Sequence, residues 1–387
     1  MKFESYQRLA VRSTAQPIQE GKTADHAAKT RFTQNMEEAK IMLTKSKILL
    51  AASAIALSTT TVAAQTNWPE RPITAVVMYS AGGGTDTVLR ALSAEMAKEM
   101  GWEINVVNKP GAVGGVATKF VLNTKTDGYT WLGAANYNKF ARVKGGAQSK
   151  SWEDWYYMQA GTSLASWSVK PDSPFKTFDD AIAEARRRPG EVTISTSGSG
   201  GLWHELAAIV AQAAGVELKY VPYKGGKPAT LAGLNGEVDI AGGGVHEHIE
   251  FVRSGQLRNL QQTGPEDIKL EDGKVMPSVG NFLPAIKNDL PFSGIYNIGI
   301  RRDTPIEVIQ AVQDAFVKAV NSPAFAEVVK KRKLFIDIKL GEEADRRAAF
   351  LEAVTASTFQ RLGVPGAKTP EELGLPDPEK FEQWWPP

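Results

Sequence analysis

A glycine-rich loop between a predicted strand and a predicted helix constrains the fold of this chain more than any other feature. The loop, Ser80-Ala81-Gly82-Gly83-Gly84-Thr85-Asp86, follows the apolar run 73–79 and precedes Leu89, Leu92 and Met96 at helical spacing. Glycine lets the backbone approach a ligand closely, and the free N–H groups of a first helical turn attract anions. The order of strand, glycine loop and helix therefore predicts an anion-binding site.

The composition excludes several classes of protein. The chain of 387 residues is long enough for two domains with cores of their own. It contains no cysteine, so disulfides, thiol catalysis and zinc–thiolate sites are excluded. A net charge of +2 gives no reason to expect a nucleic-acid partner, and none of the four histidines lies in a His-Glu-x-x-His motif. We expect no cofactor and no bound metal.

The N-terminal 64 residues are predicted to lie outside the mature protein. Residues 1–41 are polar and without periodicity, and we interpret them as a non-native or disordered extension. Residues 42–64 contain basic Lys45 and Lys47, the apolar run 48–57 and a small-residue cleavage site, which together predict a secretory signal peptide. A buried helix behind a disordered arm is the alternative. We expect a mature periplasmic protein that begins near Gln65.

Short β-rich runs alternate with amphipathic helices from Trp68 onward. Strands predicted at 73–79, 104–107 and 129–134 are separated by two helices, and this order predicts a parallel sheet with helices on both faces. A capping box, Thr177-x-x-Asp180, opens a second such region. That region has predicted strands at 192–195, 218–221 and 238–241.

Two further loops resemble the first. Ser197-Gly198-Ser199-Gly200-Gly201 precedes a helix with His204, and Pro222-Tyr223-Lys224-Gly225-Gly226 follows another strand. All three loops lie at the carboxyl ends of predicted strands, where open α/β sheets bind their ligands. The last third adds a predicted return strand at 296–300, two helices, a strand at 335–338 and a helix at about 342–362.

Several motifs, in order, resemble the Bug family of receptors. These receptors are the periplasmic solute-binding subunits of tripartite tricarboxylate transporters. The opening Trp68-Pro69-Glu70-Arg71-Pro72-Ile73 leads to the first glycine loop, and later signatures match as well: Asn108-Lys109-Pro110-Gly111, Asp127-Gly128-Tyr129-Thr130, Val221-Pro222-Tyr223-Lys224-Gly225-Gly226, Gly236-x-Val238-Asp239 and Ser254-Gly255-x-Leu257-Arg258. The resemblance covers about 68–363.

The resemblance implies an α/β fold with two lobes, the type II periplasmic-binding-protein or Venus flytrap fold, each lobe a mostly parallel sheet flanked by helices. Lobe 1 would contain 68–169 and 295–387, and lobe 2 would contain 170–294, with chain crossings near 168–171 and 291–296. A small organic carboxylate, aromatic or bulky acids included, would bind between the lobes. Hinge closure would then present it to a membrane permease, without a catalytic step. We expect a monomer.

The candidate ligand contacts lie in the glycine loops and next to them. They are Tyr79, Ser80, Ala81, Gly82, Gly83, Gly84, Thr85, Asp86, Ser197, Gly198, Ser199, Gly200, Gly201, Trp203, His204, Tyr223, Lys224, Gly243 and His246. Backbone N–H groups and hydroxyls suit a carboxylate, whereas Asp86 suits helix capping, an amine or a water better.

The sequence departs from the family at two places. Gly201 stands where the family has serine, and Trp203 next to it offers an aromatic face. Three glycines after the strand at 238–241 are expected to leave room in the cleft. His246 is a candidate polar contact there, and together with His248 it forms a weak metal motif. The tryptophans and tyrosines at 152–157 and Trp167 are expected to pack in the core and the hinge.

Two other functional classes remain open from the sequence. A sensory module for a membrane kinase shares every motif and differs in its partner alone. An α/β enzyme with a nucleotide is less consistent with the residues. Gly82-Gly83-Gly84-Thr85-Asp86-Thr87 lacks the third glycine of G-x-G-x-x-G, no Walker lysine follows, and no Gly-x-Ser-x-Gly elbow occurs.

Overall fold

The structure, a computed structural model, describes residues 67–387. The predicted extension at 1–41 and the predicted signal peptide at 42–64 lie outside the described residues. In the described part of the chain, no helix combines the length and the apolar character that crossing a membrane requires.

Strands and helices alternate along the described chain, as the periodicity predicts. The first third contains β1 (Ile73–Val77), α1 (Gly84–Met100), β2 (Ile104–Asn108), α2 (Gly115–Leu122), β3 (Thr130–Ala135), α3 (Lys139–Val143) and β4 (Trp155–Val169).

The middle third contains short strands, most of them separated by helices. Its elements are α4 (Phe178–Arg187), β5 (Thr193–Thr196), α5 (Leu202–Ala214), β6 (Lys219–Pro222), α6 (Gly226–Asn235), β7 (Ala241–Gly244), α7 (Val245–Arg253), β8 (Arg258–Gln262), β9 (Ile268–Lys269) and β10 (Val275–Met276). The capping box at Thr177 and Asp180 is confirmed, since each side chain accepts a backbone N–H hydrogen bond.

The last third of the chain adds two strands to the sheet that the first third begins. Its elements are β11 (Ser293–Arg301), α8 (Ile306–Val320), α9 (Pro323–Arg332), β12 (Phe335–Lys339), α10 (Gly341–Arg361) and α11 (Phe381–Trp384). β11 inserts between β3 and β4, so the sheet reads β12-β4-β11-β3-β1-β2. We call the part built on β1–β3, β11 and β12 lobe 1, and the part built on β5–β8 lobe 2.

The fifteen-residue strand β4 joins the lobes. Its first part pairs with β11 and β12, and from Ala165 onward it pairs with β7 and β8. The change of partner between Leu164 and Ala165 precedes the predicted crossing at 168–171, and the predicted domain boundaries themselves stay a prediction. All pairs of β4 and β11 are antiparallel, so the sheet is mixed. Parallel ladders join β1 to β2, β1 to β3 and β5 to β6.

Each lobe has its own apolar core, and a third cluster lies between them. In lobe 1, α1 and α8 pack on one face of β1, and in lobe 2, α4 and α5 pack around Ile194. The third cluster joins Phe140 of α3 and Phe359 of α10 with Leu206 of α5. Helix α5 of lobe 2 therefore packs directly on lobe 1, at one side of the interlobe cleft.

One predicted strand is displaced along the chain. The strand expected at 238–241 is β7, Ala241–Gly244, so the three glycines belong to the strand and do not leave room in the cleft. A side chain at Gly242 would meet the Ser195 carbonyl oxygen at 2.3 Å, which explains why glycine occupies this buried position. His246 and His248 consequently lie on α7 and not on a strand-like segment.

Candidate functional site

A small cavity of about 30 Å³ lies between the lobes. Lobe 1 contributes the first turn of α1, the end of β3 and the start of β11, while lobe 2 contributes the starts of α5, α6 and α7. Its lining residues are Tyr79, Gly83, Gly84, Thr85, Ala135, Asn136, Ser197, Leu202, Trp203, Gly226, His246, Glu247, Gly294, Ile295 and Tyr296. The starts of four helices, α1, α5, α6 and α7, thus border one small space.

The first glycine loop approaches the opposite lobe closely. A Cβ atom at Gly84 would lie 2.2 Å from His246 Nε2 and 2.3 Å from the Tyr296 hydroxyl, so a side chain does not fit there. Ser80 donates hydrogen bonds from both its hydroxyl and its N–H to the Lys224 carbonyl, at 2.7 and 3.2 Å. The two lobes therefore touch through their loops, and the cleft is closed in this structure.

The group that occupies the anion-binding position is the chain's own Glu247. Its carboxylate accepts hydrogen bonds from Trp203 Nε1 at 3.1 Å, from the Gly244 N–H at 2.9 Å and from the Gly84 N–H at 3.4 Å. Glu247 is 7% exposed. Burial alone would raise its pKa, but His246 and the Gly244 N–H outweigh burial and hold the pKa below its ordinary value. Glu247 is therefore ionised at neutral pH.

A strained turn places Asn136 in the cavity. Asn136, Tyr137 and Asn138 all have positive φ angles, of 53°, 53° and 59°, which are costly for residues other than glycine. The Asn136 carbonyl oxygen Oδ1 accepts the Ile295 N–H at 3.0 Å. Its amide nitrogen Nδ2 is buried and has no hydrogen-bond partner. The turn thus presents an unused donor to the cavity.

Two aromatic hydroxyls complete the polar lining. Tyr296 bonds to Ser163 at 2.8 Å and to His246 Nε2 at 3.1 Å, so its hydroxyl is already engaged. The Tyr79 hydroxyl is buried without a partner. Burial, followed by the charge of Glu247, raises the pKa of Tyr79, which therefore stays protonated and can donate a hydrogen bond.

A second, larger cavity of about 300 Å³ lies beside the first and shares Tyr79 and Ser197 with it. Two lysines border it, Lys144 from lobe 1 and Lys224 from lobe 2. The Lys144 ammonium donates to the Pro365 carbonyl, and burial lowers its pKa. Its other lining residues are Gly111, Ala112, Val113, Gly146, Gly198, Ser199 and Tyr223.

The structure places the predicted contacts in three groups. Seven of them line the small cavity: Tyr79, Gly83, Gly84, Thr85, Ser197, Trp203 and His246. Four line the larger cavity alone: Gly198, Ser199, Tyr223 and Lys224. The others line neither: Ser80, Ala81, Gly82, Asp86, Gly200, Gly201, His204 and Gly243. That any of them contacts a solute stays a prediction.

Residues outside both cavities shape the loops. Asp86 accepts the Gly82 N–H and pairs with Arg90, so it holds the first loop instead of facing the cleft. His204 Nδ1 accepts the Gly200 N–H at 2.9 Å and the ring stacks on Tyr220, so its role in this structure is structural. A side chain at Gly201 would lie 3.0 Å from Val113 Cγ1, and close packing thus accounts for the missing serine.

Sequence reasoning missed several lining residues, above all Asn136 and Glu247. Nothing in a single sequence signals that Asn136 ends β3 in a left-handed turn. Glu247 follows the predicted contact His246 directly, but a carboxylate is not expected in a site for anions. The proposed pair of metal ligands is separated instead, since His248 Nδ1 lies 2.9 Å from the Ser168 hydroxyl. In the described part of the chain, no cluster of three or more metal-ligating side chains occurs.

Comparison with known proteins identifies the family of the chain. A family model described as "Tripartite tricarboxylate transporter family receptor" matches residues 88–343, which is more than half of the chain. The chain belongs to this family. The resemblance that the sequence motifs indicate is thereby confirmed, and the protein is a receptor of the solute-binding type.

One relative and two solved structures illustrate the match. "UPF0065 protein in gbd 5'region" of Cupriavidus necator is 30% identical over 270 residues, covering 68% of this chain and 79% of the relative. Periplasmic binding protein BugD superposes with a TM-score of 0.70 at 21% identity, over 78% of this chain and 100% of BugD. MatC from Rhodopseudomonas palustris with bound malate gives 0.63 at 20% identity, over 76% and 98%. These structures confirm the two-lobed α/β fold.

Proposed function

We propose that this receptor works in the periplasm, binds a small organic carboxylate between its lobes and delivers it to a tripartite tricarboxylate-type permease. The family is one of transporter receptors, and MatC, which shares the fold, was solved with malate. A receptor binds and releases its solute unchanged, so we expect no catalytic turnover. The finding that carries the proposal is a closed interlobe cleft with unused hydrogen-bond donors.

The donors suit the oxygen atoms of an acid. The Asn136 amide and the Tyr79 hydroxyl are buried in the cleft without partners, and leaving such groups unpaired is unfavourable. Lys144 and Lys224 add positive charge along the adjoining cavity. We therefore place the solute carboxylate near these groups and not on the first glycine loop, because Glu247 already occupies that loop.

Calorimetry and thermal denaturation of the purified protein test the proposal. We expect members of a panel of dicarboxylic, hydroxy, amino and aromatic acids to raise the unfolding midpoint and to give saturable heats, while NAD does neither. Absence of any response to the acids, or a response to NAD alone, would overturn the proposal.

A matched pair of glycine variants locates the site. Gly84→Ala places a methyl group against His246 and Tyr296 and is expected to weaken acid binding at least about 10-fold. At Gly83 the nearest atom, Glu247 Oε1, lies 3.4 Å from the added Cβ, so Gly83→Ala is expected to bind nearly as the wild type does. Equal binding by both variants would place the solute elsewhere.

A further inference from the structure

The starting observation is a buried carboxylate that is paired with no lysine or arginine among the described residues. Among the described residues, no lysine or arginine nitrogen lies within 4.0 Å of the Glu247 carboxylate, and His246 Nε2 lies 3.6 Å away. The ammonium of nearby Lys227 lies over the Phe251 ring, 4.5 Å from its centre. Buried carboxylates are normally paired with a cation, because removing a charge from water is costly.

The two carboxylate oxygen atoms of Glu247 accept different numbers of hydrogen bonds. Oε2 accepts two hydrogen bonds, from Gly244 at 2.9 Å and from Trp203 at 3.1 Å. Oε1 accepts one long bond, from the Gly84 N–H at 3.4 Å, and lies 3.6 Å from His246 Nε2. A carboxylate oxygen can accept two hydrogen bonds, so Oε1 retains capacity for a donor on the side of the cavity.

Two hydrogen-bond donors near Glu247 lack an acceptor. The Asn136 side chain is 2% exposed, and its Nδ2 donor has no partner; the Tyr79 hydroxyl is likewise buried and unpaired. Both residues line the same cavity as Glu247. Among the described residues, one small space therefore combines a carboxylate that has no lysine or arginine partner with two donors that lack an acceptor.

We propose that Glu247 selects solutes that carry a cationic nitrogen in addition to the carboxylate, that is, amino acids or other amino-substituted acids. The inference rests on the proposed function and narrows it. The ammonium group would donate to Glu247 Oε1, and the solute's carboxylate would accept from Asn136 Nδ2 and the Tyr79 hydroxyl.

The dimensions of the cleft agree with this orientation. The cavity at Glu247 has a volume of about 30 Å³, which suits an ammonium group of roughly the size of a water molecule. The neighbouring cavity of about 300 Å³ has room for the remaining atoms of a small acid and is bordered by Lys144 and Lys224. Tyr79 lines both cavities, so a solute carboxylate bonded to its hydroxyl would lie where the small cavity meets the larger one.

An acid without an amine meets an unfavourable environment in the same cleft. Its carboxylate would bring a second negative charge next to a buried, ionised one, which has no lysine or arginine partner among the described residues. Repulsion between like charges a few ångströms apart is strong where water is excluded. Glu247 therefore disfavours plain mono- and dicarboxylates.

The amine preference is tested on the full chain with pairs of acids whose members differ by one amino group. Isothermal titration calorimetry would compare butyrate with 4-aminobutyrate, succinate with aspartate, and glutarate with glutamate. In at least one pair we expect the amino acid to bind at least about 10-fold more tightly than its partner. In Glu247→Gln, which keeps the shape and removes the charge, we expect the ratio to fall to about 1 and the plain acid to bind more tightly than in the wild type.

Two further variants control the result. Glu250→Gln, on the exposed part of the same helix, should leave the ratio unchanged. Tyr79→Phe should weaken both members of a pair by a similar factor, because it removes a donor to the shared carboxylate. Circular dichroism and the thermal midpoint verify that each variant is folded.

The outcomes separate this inference from the proposed function. Binding of acids in which the plain member equals or exceeds the amino member overturns the amine selection and leaves the carboxylate receptor in place. An amine preference that survives in Glu247→Gln also overturns it. Failure of every acid in every pair to bind overturns both proposals.

Discussion

Two buried glutamates at the junction of the lobes differ in their partners. Glu205 of α5 is 4% exposed, and its carboxylate bonds to the Lys139 ammonium at 3.1 Å and to the Thr355 hydroxyl at 2.7 Å. Glu247 of α7 is 7% exposed and contacts neutral donors and a histidine. Glu205 is paired with a lysine, whereas among the described residues Glu247 has a histidine nitrogen at 3.6 Å and no lysine or arginine partner.

The difference separates a structural contact from the group that we propose binds the solute. The pair of Lys139 and Glu205 bridges the lobes inside an apolar cluster, where a complete set of partners fixes one arrangement. Glu247 lies beside a cavity, together with unpaired donors. An incomplete set of partners at this position is consistent with a group that a solute completes. The predictions below test that contrast in order of expected size.

The largest effect is expected from Lys139→Met. The variant leaves the Glu205 charge buried without its cation, and breaking such a pair typically costs about 3–5 kcal/mol of unfolding free energy. Urea denaturation measures the loss. Lys150→Met is the matched control, because its pair with Glu153 is exposed and is expected to contribute less than about 1 kcal/mol. Equal losses in the two variants would contradict the assignment of Glu205 as a structural group.

The second prediction compares the two glutamates directly. Glu205→Gln leaves Lys139 buried without a counter-charge and is expected to cost about 3 kcal/mol. Glu247→Gln leaves no lysine or arginine unpaired, so its cost should be about 1 kcal/mol or less. Both are measured by urea denaturation without added solute. If Glu247→Gln proved the more costly, the cleft carboxylate would be a stabilising element of the fold.

A third prediction concerns the strongest side-chain donor to Glu247. Trp203→Phe removes the Nε1–H that bonds to the carboxylate, and hydrogen bonds to charged groups contribute about 2 kcal/mol. Trp152→Phe is the control, because the Trp152 Nε1 is buried without a partner. Thermal or urea denaturation should show a larger loss for Trp203→Phe. The reverse order would mean that the donor is dispensable to Glu247.

The smallest expected effect is a pH dependence of stability that comes from His204, the residue before Glu205 on α5. Burial, and then the charge of Lys144, lowers the pKa of His204 to about 4, and its Nδ1 accepts a hydrogen bond from Gly200. The folded state therefore favours neutral His204. Its contribution to the free energy of unfolding is lost as pH falls from 6.5 toward 4, because the unfolded chain takes up the proton first. Relative to His204→Asn, the wild type should lose about 1 kcal/mol between pH 6.5 and pH 5.5. Parallel pH profiles would refute the low pKa.

Much of the local structure follows from the sequence. The first glycine loop precedes α1, the capping box opens α4 and the second loop precedes α5, all as the apolar periodicity and the turn residues predict. The family motifs distributed over the chain also predict the two-lobed fold. These features depend on neighbours within a few residues, and such interactions can be recognised without a structure.

The strand that joins the lobes is less accessible to sequence reasoning. The aromatic residues of β4 are predicted correctly to be buried, as Trp155 and Trp167 are, but the strand itself is not recognised. Both of its faces are covered by packed elements, so its residues do not alternate between apolar and polar. For the same reason, the point at which its pairing changes lobes has no signature in the sequence.

The sequence by itself determined where two glycine loops would precede helices, and its family motifs predicted the two lobes. The tertiary structure decided what occupies those helix ends. Glu247 reaches the N–H of Gly84, 163 positions earlier, and Asn136 faces the same cavity through a strained turn. Helix ends arise from local interactions, whereas the meeting of Glu247, Gly84 and Asn136 depends on how the lobes pack together.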